Sequence, residues 1–149
     1  MIIETTRFGP VEVDDDRVLH FPRGLIGFPL ERRFALIEVS GNRYFFWLQS
    51  IDTPELAWVV TDPEIFVANY DLRVPADHMV ELQLTNRSDA QVLVICNQRD
   101  RKLTANLAGP LVINRGRRIA KQLVLSKAST SMPLVDLDEP ASLAQAERM

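Results

Sequence analysis

Short apolar segments bounded by turn residues recur along most of the chain, and they restrict its fold to all-β arrangements. The segments either alternate apolar with polar positions or collect β-branched and aromatic residues, and both patterns are typical of strands. They span residues 11–13, 17–21, 35–39, 44–48, 56–61, 70–74, 92–96, 103–107, 111–114 and 119–125. Since no strand–helix alternation accompanies them, the pattern predicts a mostly β fold, a small antiparallel β-barrel-like or sandwich domain.

Helical signal is confined to two places. Residues 76–84 predict one short helix, because Pro75 suits a first helical turn. Residues 139–149 could form one or two further turns, which are too short to be stable alone in water. A chain of 149 residues has the length of one domain. We therefore expect a single domain over 1–126 and a C-terminal tail over 127–149 that is mobile or docked.

Several features of the sequence predict a cytoplasmic protein that makes no contact with a membrane. The chain has no run of 18 or more apolar residues, the length that a transmembrane helix needs. Its N-terminus, MIIETTRFG, lacks the basic region and apolar stretch of a secretory signal. Cys96 is the single cysteine, so an internal disulfide is excluded.

The net charge of −3 hides an uneven distribution along the chain. Residues 99–127 hold eight cations and one carboxylate, whereas the run Asp14–Asp16, which predicts a hairpin turn between the first two segments, is acidic. The basic residues either lie on solvated strand faces or form one face that attracts an acidic partner. The acidic tail could also fold over this basic segment.

A small β-barrel that binds single-stranded nucleic acid is the alternative function. Such sites combine a basic groove with exposed aromatic side chains on which bases stack. The basic segment 99–127 contains no Phe, Tyr or Trp, and at least half of the aromatic run 44–47 should face the core because side chains alternate along a strand. The sequence therefore favours a protein that does not bind nucleic acid directly.

The residues that catalysis would require do not form a recognisable set. His20 ends a predicted strand, and His78 lies in the predicted helix. Cys96 closes the apolar run VLVIC, where a cysteine acts as a small core residue rather than as an activated thiolate. No metal-ligand spacing or glycine-rich cofactor fingerprint is present. We therefore expect no enzymatic activity, no catalytic residue, no metal and no cofactor.

Polar residues next to apolar strands are the candidates for partner binding. Asparagine is depleted in strands, and a buried amide without a partner costs roughly 1–3 kcal/mol, so each such residue must find a hydrogen bond within the fold or from a ligand. A half-buried tyrosine can serve as an interface anchor. The candidates are Gln49, Ser50, Asn69, Tyr70, Asn106 and Asn114.

The segment HFPRGLIGFP, residues 20–29, contains a Gly-x-x-Gly pattern that can either approach a nucleic-acid phosphate or form a turn. Its arginine, Arg23, stands without a neighbouring basic and aromatic groove. Gly24 and Gly27 can adopt positive φ at little cost, and Pro22 cannot donate a ladder hydrogen bond. The segment therefore predicts a tight turn between strands.

Five segments in order, HFPRGLIGF, WLQS, DPEIF with a following Tyr, TANLAGPLVIN and Lys121-Gln122, resemble the FliW family of flagellar assembly factors. The resemblance runs from Met1 to about Leu125. It implies a mostly antiparallel β-barrel-like protein without enzymatic activity. The family commonly has an acidic residue where this chain has Asn69, which implies the loss of an interface charge there.

The resemblance also implies two protein partners. One is flagellin that has not yet been exported, and the other is the RNA-binding translational repressor CsrA, which FliW antagonises away from its RNA-binding surface. Flagellin and the repressor would bind in a mutually exclusive way, so that accumulating flagellin releases the repressor. The oligomeric state is left open by the sequence.

Overall fold

The computed structural model describes residues 1–39, 41–99, 102–125 and 132–136, and these residues form eleven strands and two short helices. The strands are β1 (Ile2–Thr5), β2 (Gly9–Glu12), β3 (Leu19–His20), β4 (Arg33–Val39), β5 (Asn42–Ser50), β6 (Ala57–Thr61), β7 (Ala90–Arg99), β8 (Lys102–Ala105), β9 (Leu111–Asn114), β10 (Ala120–Gln122) and β11 (Met132–Asp136). The helices are α1 (Pro63–Phe66) and α2 (Ala76–Glu81).

One large antiparallel sheet forms the body of the protein. Its strands follow the order β10-β9-β7-β6-β5-β4-β3, while β8 pairs with β7 and β11 pairs with β8. Among the described residues, an isolated parallel bridge between His20 and Ile119, and not a continuous ladder, lies between the two ends of this order. The predicted mostly β, antiparallel fold is confirmed, and over the described ranges the sheet stays open instead of closing into a barrel.

β7 pairs with two strands that follow each other in the sequence, with β8 along its C-terminal part and with β9 along its N-terminal part. Ala105 pairs with Cys96, and Leu111 pairs with Leu93. The intervening residues 106–110 leave the strand line at the Gly109-Pro110 break, since proline cannot donate a ladder hydrogen bond. The segment TANLAGPLVIN is therefore an interrupted strand with a bend in its middle.

Adjacent residues of β5 belong to different parts of the core. Phe45 and Trp47 are buried together with Val94, whereas Phe46 packs against a second cluster that contains Phe34. This is the two-residue periodicity of a strand with apolar groups on both faces. The expectation that at least half of these aromatic residues face the core is confirmed.

The triple aspartate does not form the predicted hairpin turn. β2 pairs with β1, a strand that the sequence interpretation missed, and Asp15–Arg17 form a 3₁₀ turn on the way to β3. The hairpin turn lies earlier, where the Thr5 hydroxyl donates to Gly9 O and accepts from Phe8 N. Thr5 and Gly9 thus supply the turn chemistry that the aspartates were expected to supply.

The segments around the two helices also differ from expectation. Residues 70–74 form no strand, although Leu72 is buried as the alternation suggested. The predicted helix 76–84 ends at Glu81, because Gln83 adopts φ +58° and turns the chain. α1 was missed: Asp62 caps it by accepting from Glu64 N, and Pro63 occupies its first turn.

Part of the predicted tail belongs to the sheet. β11 pairs antiparallel with β8, with Val135 opposite Leu103 and Asp136 opposite Lys102, so it lies beside a strand of the basic segment. The helical turns predicted over 139–149 lie outside the described residues.

Candidate functional site

The Gly-x-x-Gly segment forms a tight turn between β3 and β4, as predicted. Leu25 N donates to Phe28 O over 3.1 Å, and Phe28 N donates to Leu25 O over 2.8 Å. Gly24 and Gly27 adopt φ +67° and +87°. Gly24 is also packed against backbone, because a side-chain carbon there would collide with Phe28 O and lie 2.6 Å from Pro29 O. We refer to residues 21–30 as the signature loop.

The signature loop contacts two other segments that carry the family resemblance. Ile26 N donates to Gln122 Oε1 over 2.8 Å, and Gln122 Nε2 donates to Gly109 O over 3.0 Å. A side-chain carbon at Gly109 would lie 2.8 Å from Gln122 Nε2 and 3.1 Å from Asn106 Nδ2, so a larger residue there would displace these two amides. We call the contact of residues 21–30, 106–110 and 121–122 the loop junction.

A cluster of three charged side chains ties the loop junction to α2. Glu81 accepts from Arg23 Nε at 2.7 Å and from Lys121 Nζ at 2.6 Å. The hydrogen bond from Lys121, aided by the charges of Lys121 and Arg23, lowers the pKa of the Glu81 carboxyl. Arg23 was expected to stand alone and instead has a carboxylate partner that lies far away in the sequence.

Gln49 and Ser50, two of the predicted interface residues, are fully buried at the end of β5. Gln49 Nε2 donates to the carbonyl oxygens of Ser50, Pro54 and Leu56 at 2.9–3.1 Å. Ser50 Oγ donates to Glu31 Oε1 over 2.6 Å and accepts from Thr53 N. These bonds hold the chain that leaves the signature loop against the end of β5.

Asn114 ends the interrupted strand, whereas Asn106 lies at its bend. The buried Asn114 donates to Leu82 O and Gln83 O and accepts from Gly116 N and Arg117 N. It therefore joins the turn after α2 to the β9–β10 turn. Asn106 is half-buried in the loop junction, where its Oδ1 accepts from Ala108 N.

Asn69 and Tyr70 are more accessible than the other candidates. Asn69 is exposed and adopts φ +57°, a conformation that asparagine tolerates better than most residues. Tyr70 is half-buried against a core cluster that contains Leu72 and Leu82, and burial raises the pKa of its hydroxyl. Of the six candidates the structure brings only Asn106 to the loop junction, and their roles in partner binding remain predictions.

The residues considered for catalysis are not arranged as a reactive group. Burial raises the pKa of the Cys96 thiol to about 12, so it stays protonated in the core. His20 is exposed and His78 is half-buried in α2. Among the described residues no three His, Cys, Asp or Glu side chains are grouped so that they could hold a metal ion. Of the described helices, none has the length and apolar character needed to cross a bilayer.

Within the described part of the basic segment, the cations have partners in different places. Arg115 donates to Gln91 Oε1, whereas Lys121 binds Glu81 near the signature loop. The Asp14–Asp16 run lies on the surface, and Asp14 lines an open concavity of about 580 Å³ with Glu12 and Glu38. Leu36 and Phe46 form apolar parts of this concavity, and two cations, Arg17 and Arg118, complete it. We call it the acidic concavity.

The sequence interpretation missed three polar residues that link distant segments of the site by hydrogen bonds. They are Glu31, Glu81 and Gln122. Each contacts a partner at least 19 positions away. A single sequence carries no local signal for such pairs. Lys121-Gln122 was noted only as part of the resemblance.

Comparison with known proteins gives consistent results. Residues 2–134 match the family model described as FliW protein. Flagellar assembly factor FliW of Magnetococcus marinus is 34% identical over 138 residues, covering 91% of this chain and 85% of that protein. FliW of Geotalea uraniireducens is 36% identical over 143 residues, covering 93% of this chain and 87% of that protein.

A solved structure supports the same assignment. The crystal structure of a flagellar assembly factor FliW superimposes with a TM-score of 0.82 at 30% identity, covering 90% of this chain and 96% of the other. Sequence and fold therefore agree over nearly the whole length of both proteins. The chain belongs to the FliW family of flagellar assembly factors.

Proposed function

We propose that this flagellar assembly factor is a cytoplasmic, non-catalytic regulator that binds two proteins, unexported flagellin and a CsrA-type translational repressor. It antagonises the RNA binding of the repressor from a site apart from the RNA-binding surface. Flagellin competes for the regulator, so accumulating flagellin releases the repressor and flagellin synthesis falls. The observation that carries the proposal is the family match over residues 2–134.

The charge distribution supports a basic partner for one surface. Glu12, Asp14 and Glu38 line the acidic concavity, and Asp15 and Asp16 extend the exposed carboxylates beside it. A repressor that binds RNA is a basic protein, and an acidic surface raises its association rate by steering it, even when the contact lies apart from the RNA-binding surface. The concavity is therefore a reasonable contact for the repressor.

The interface residues fall into two groups by accessibility. Asn69 and Tyr70 can contact a partner directly, because Asn69 is exposed and Tyr70 is half-buried. Gln49, Ser50 and Asn114 are buried, so they act on binding by holding the loops that carry the surface. Asn106 does the same at the loop junction through its bond to Ala108 N.

Calorimetric titration tests the proposal with the full chain. A flagellin C-terminal segment and, separately, the repressor should each give saturable heat, and the first should reduce the heat of the second. No heat with either partner at tens of micromolar would overturn the proposal. Titration with single-stranded RNA completes the experiment, because binding that weakens steeply with salt would favour the nucleic-acid alternative.

A further inference from the structure

The signature loop presents apolar side chains to solvent in a short stretch. Ile26 is 58% exposed, Phe28 39% and Leu30 77%. Single exposed apolar residues are normal on a protein surface, but a contiguous group marks an interaction site. The three residues lie within five positions of one tight turn, so their exposed side chains are close in the chain.

A fourth apolar side chain comes from the segment after β10. Leu123 N donates to Pro110 O and Leu125 N donates to Ala108 O, so the chain stays extended to residue 125. Alternation places Val124, which is 77% exposed, on the same side as Gln122, whose amide binds the backbone of Ile26. Val124 therefore lies next to the signature loop. We call Ile26, Phe28, Leu30 and Val124 the apolar patch.

The apolar patch is held in a fixed arrangement. Leu25 is buried, and the ring of Phe28 meets Trp58 edge to face at 5.1 Å. The loop is also fixed by its bond to Gln122 and by the Arg23–Glu81 pair. A preorganised surface loses little conformational entropy when a partner binds.

Cations flank the apolar patch. Arg23 is 71% exposed although it binds Glu81, and Lys121 shares the same carboxylate, so two positive charges meet one negative charge. A shallow pocket of about 310 Å³ lies between Arg23, Lys121 and the loop backbone at Gly24–Gly27. The surplus charge favours a partner segment that carries carboxylates.

We propose that the apolar patch docks an amphipathic protein segment whose apolar side chains are flanked by carboxylates. The inference rests on the proposed function, because it takes flagellin as the protein that carries this segment. The exposed apolar side chains suit a protein segment with an apolar face, and the surplus positive charge of Arg23 and Lys121 suits carboxylates beside that face. The basic flank disfavours the RNA-binding repressor, whose charge fits the acidic concavity instead.

Two variants test the patch against a matched control. Ile26→Asp and Leu30→Asp place a charge within the patch, whereas Ile2→Asp changes an isoleucine on β1 that is 68% exposed. We expect each patch variant to weaken flagellin binding by about tenfold or more, as loss of an apolar hot spot does, and the control to change it less than about twofold. Unchanged thermal unfolding and unchanged repressor affinity verify that the fold is intact.

The charge is tested separately with Arg23→Gln and the exposed control Arg43→Gln. Arg23→Gln should weaken flagellin binding by about threefold or more at low salt and lose this difference at high salt, because solvent-exposed charges are screened. Patch variants that bind flagellin as tightly as Ile2→Asp would overturn the docking inference and leave the proposed function standing. A wild-type chain that binds no flagellin would overturn both.

Discussion

At the scale of single residues, two glycines of the signature loop have different reasons for being glycine. Gly24 has positive φ and also packs against Pro29 O, whereas a side-chain carbon at Gly27 would meet no atom within 4 Å. Gly27→Ala should therefore lower the free energy of unfolding by about 1–2 kcal/mol through backbone strain alone, and a bulkier Gly27→Val by up to about 3 kcal/mol.

Gly24→Ala should lower the free energy of unfolding by at least about 2 kcal/mol more than Gly27→Ala does, because a collision with the backbone is added to the strain. Urea unfolding of both variants measures the difference. Equal losses would show that the backbone contact at Gly24 does not constrain the loop.

The two asparagines of the interrupted strand should also differ. Asn114→Ala removes a buried amide that satisfies two carbonyl and two N–H groups. We expect this variant to lower the free energy of unfolding by about 2–4 kcal/mol, because buried groups lose their partners. Asn106→Ala removes one bond from a half-buried site and should cost only about 0.5–1.5 kcal/mol. Equal costs in chemical denaturation would contradict the burial-based argument.

Residue chemistry was foreseeable wherever the constraint is local. Positive φ at Gly24 and Gly27, and the need of Asn106 and Asn114 for hydrogen-bond partners, follow from the residue types themselves. The partners were not foreseeable, because Leu82 lies 32 positions from Asn114 and Gln122 lies 96 positions from Ile26. Only the folded sheet brings these groups together.

At the scale of elements, Glu81 links α2 to the signature loop and β10. Its pKa is lowered in the folded protein relative to the ordinary value of 4.5. Its stabilising effect is therefore present above pH 4.5 and is lost as the pH falls through the lower folded value. Because the Glu81 side chain is 35% exposed, we expect Glu81→Gln to cost less than about 1 kcal/mol at pH 7.

The cost of Glu81→Gln relative to wild type should shrink when unfolding is measured at decreasing pH below 4.5. The exposed Glu55→Gln, measured over the same pH range, serves as the control. A cost that stays constant down to pH 3 would show that the ion pairs do not contribute.

Arg23→Ala should have only a small effect on stability, because Arg23 is largely exposed.

β11 covers one side of β8, so its removal should expose that strand. We expect deletion of residues 132–149 to speed hydrogen exchange of the backbone amides in β8, while amides of β9 keep their protection. An uncovered strand edge also promotes association between chains. The same variant should change partner affinity at low salt if the acidic tail acts on the basic segment. Unchanged exchange in β8 would contradict the pairing with β11.

Strands were predicted well where alternation and turn residues coincide, as in β5, β6 and β9. The secondary-structure prediction failed where one local sequence pattern is compatible with two different elements. Residues 70–74 alternate as a strand does, yet Leu72 packs into the core without a ladder partner in the described part of the chain. Asp62-Pro63 ends β6 as expected, and the same two residues also begin α1.

At the scale of the whole molecule, the protein carries two surfaces of different character. Residues of β2, β4 and β5 contribute to the acidic concavity, whereas the apolar patch belongs to the signature loop and the segment after β10. In the function proposed above, the concavity would contact the basic repressor and the patch would contact flagellin. Competition between these partners then requires that the two bound proteins overlap in space. Alternatively, one partner would shift the loop junction in a way that lowers the affinity for the other.

The fold class could be predicted because it depends on patterns that are local in sequence. The extent of sheet closure could not, since it depends on one bridge between His20 and Ile119. The family resemblance identified the function class, and it rested on ordered segments that the structure in part brings into contact at the loop junction. Composition alone would have stopped at an acidic all-β domain.

The most direct test of the central claim is a competition measurement with three components. A fluorescently labelled RNA that the repressor binds is first mixed with the repressor, and the full chain is then added. Flagellin is titrated last, and the fluorescence anisotropy of the RNA is followed throughout. We predict that the chain lowers the anisotropy by releasing the RNA and that flagellin restores it in a saturable manner. An anisotropy that the chain does not change, or that flagellin does not restore, would contradict a regulator that flagellin and the repressor bind in turn.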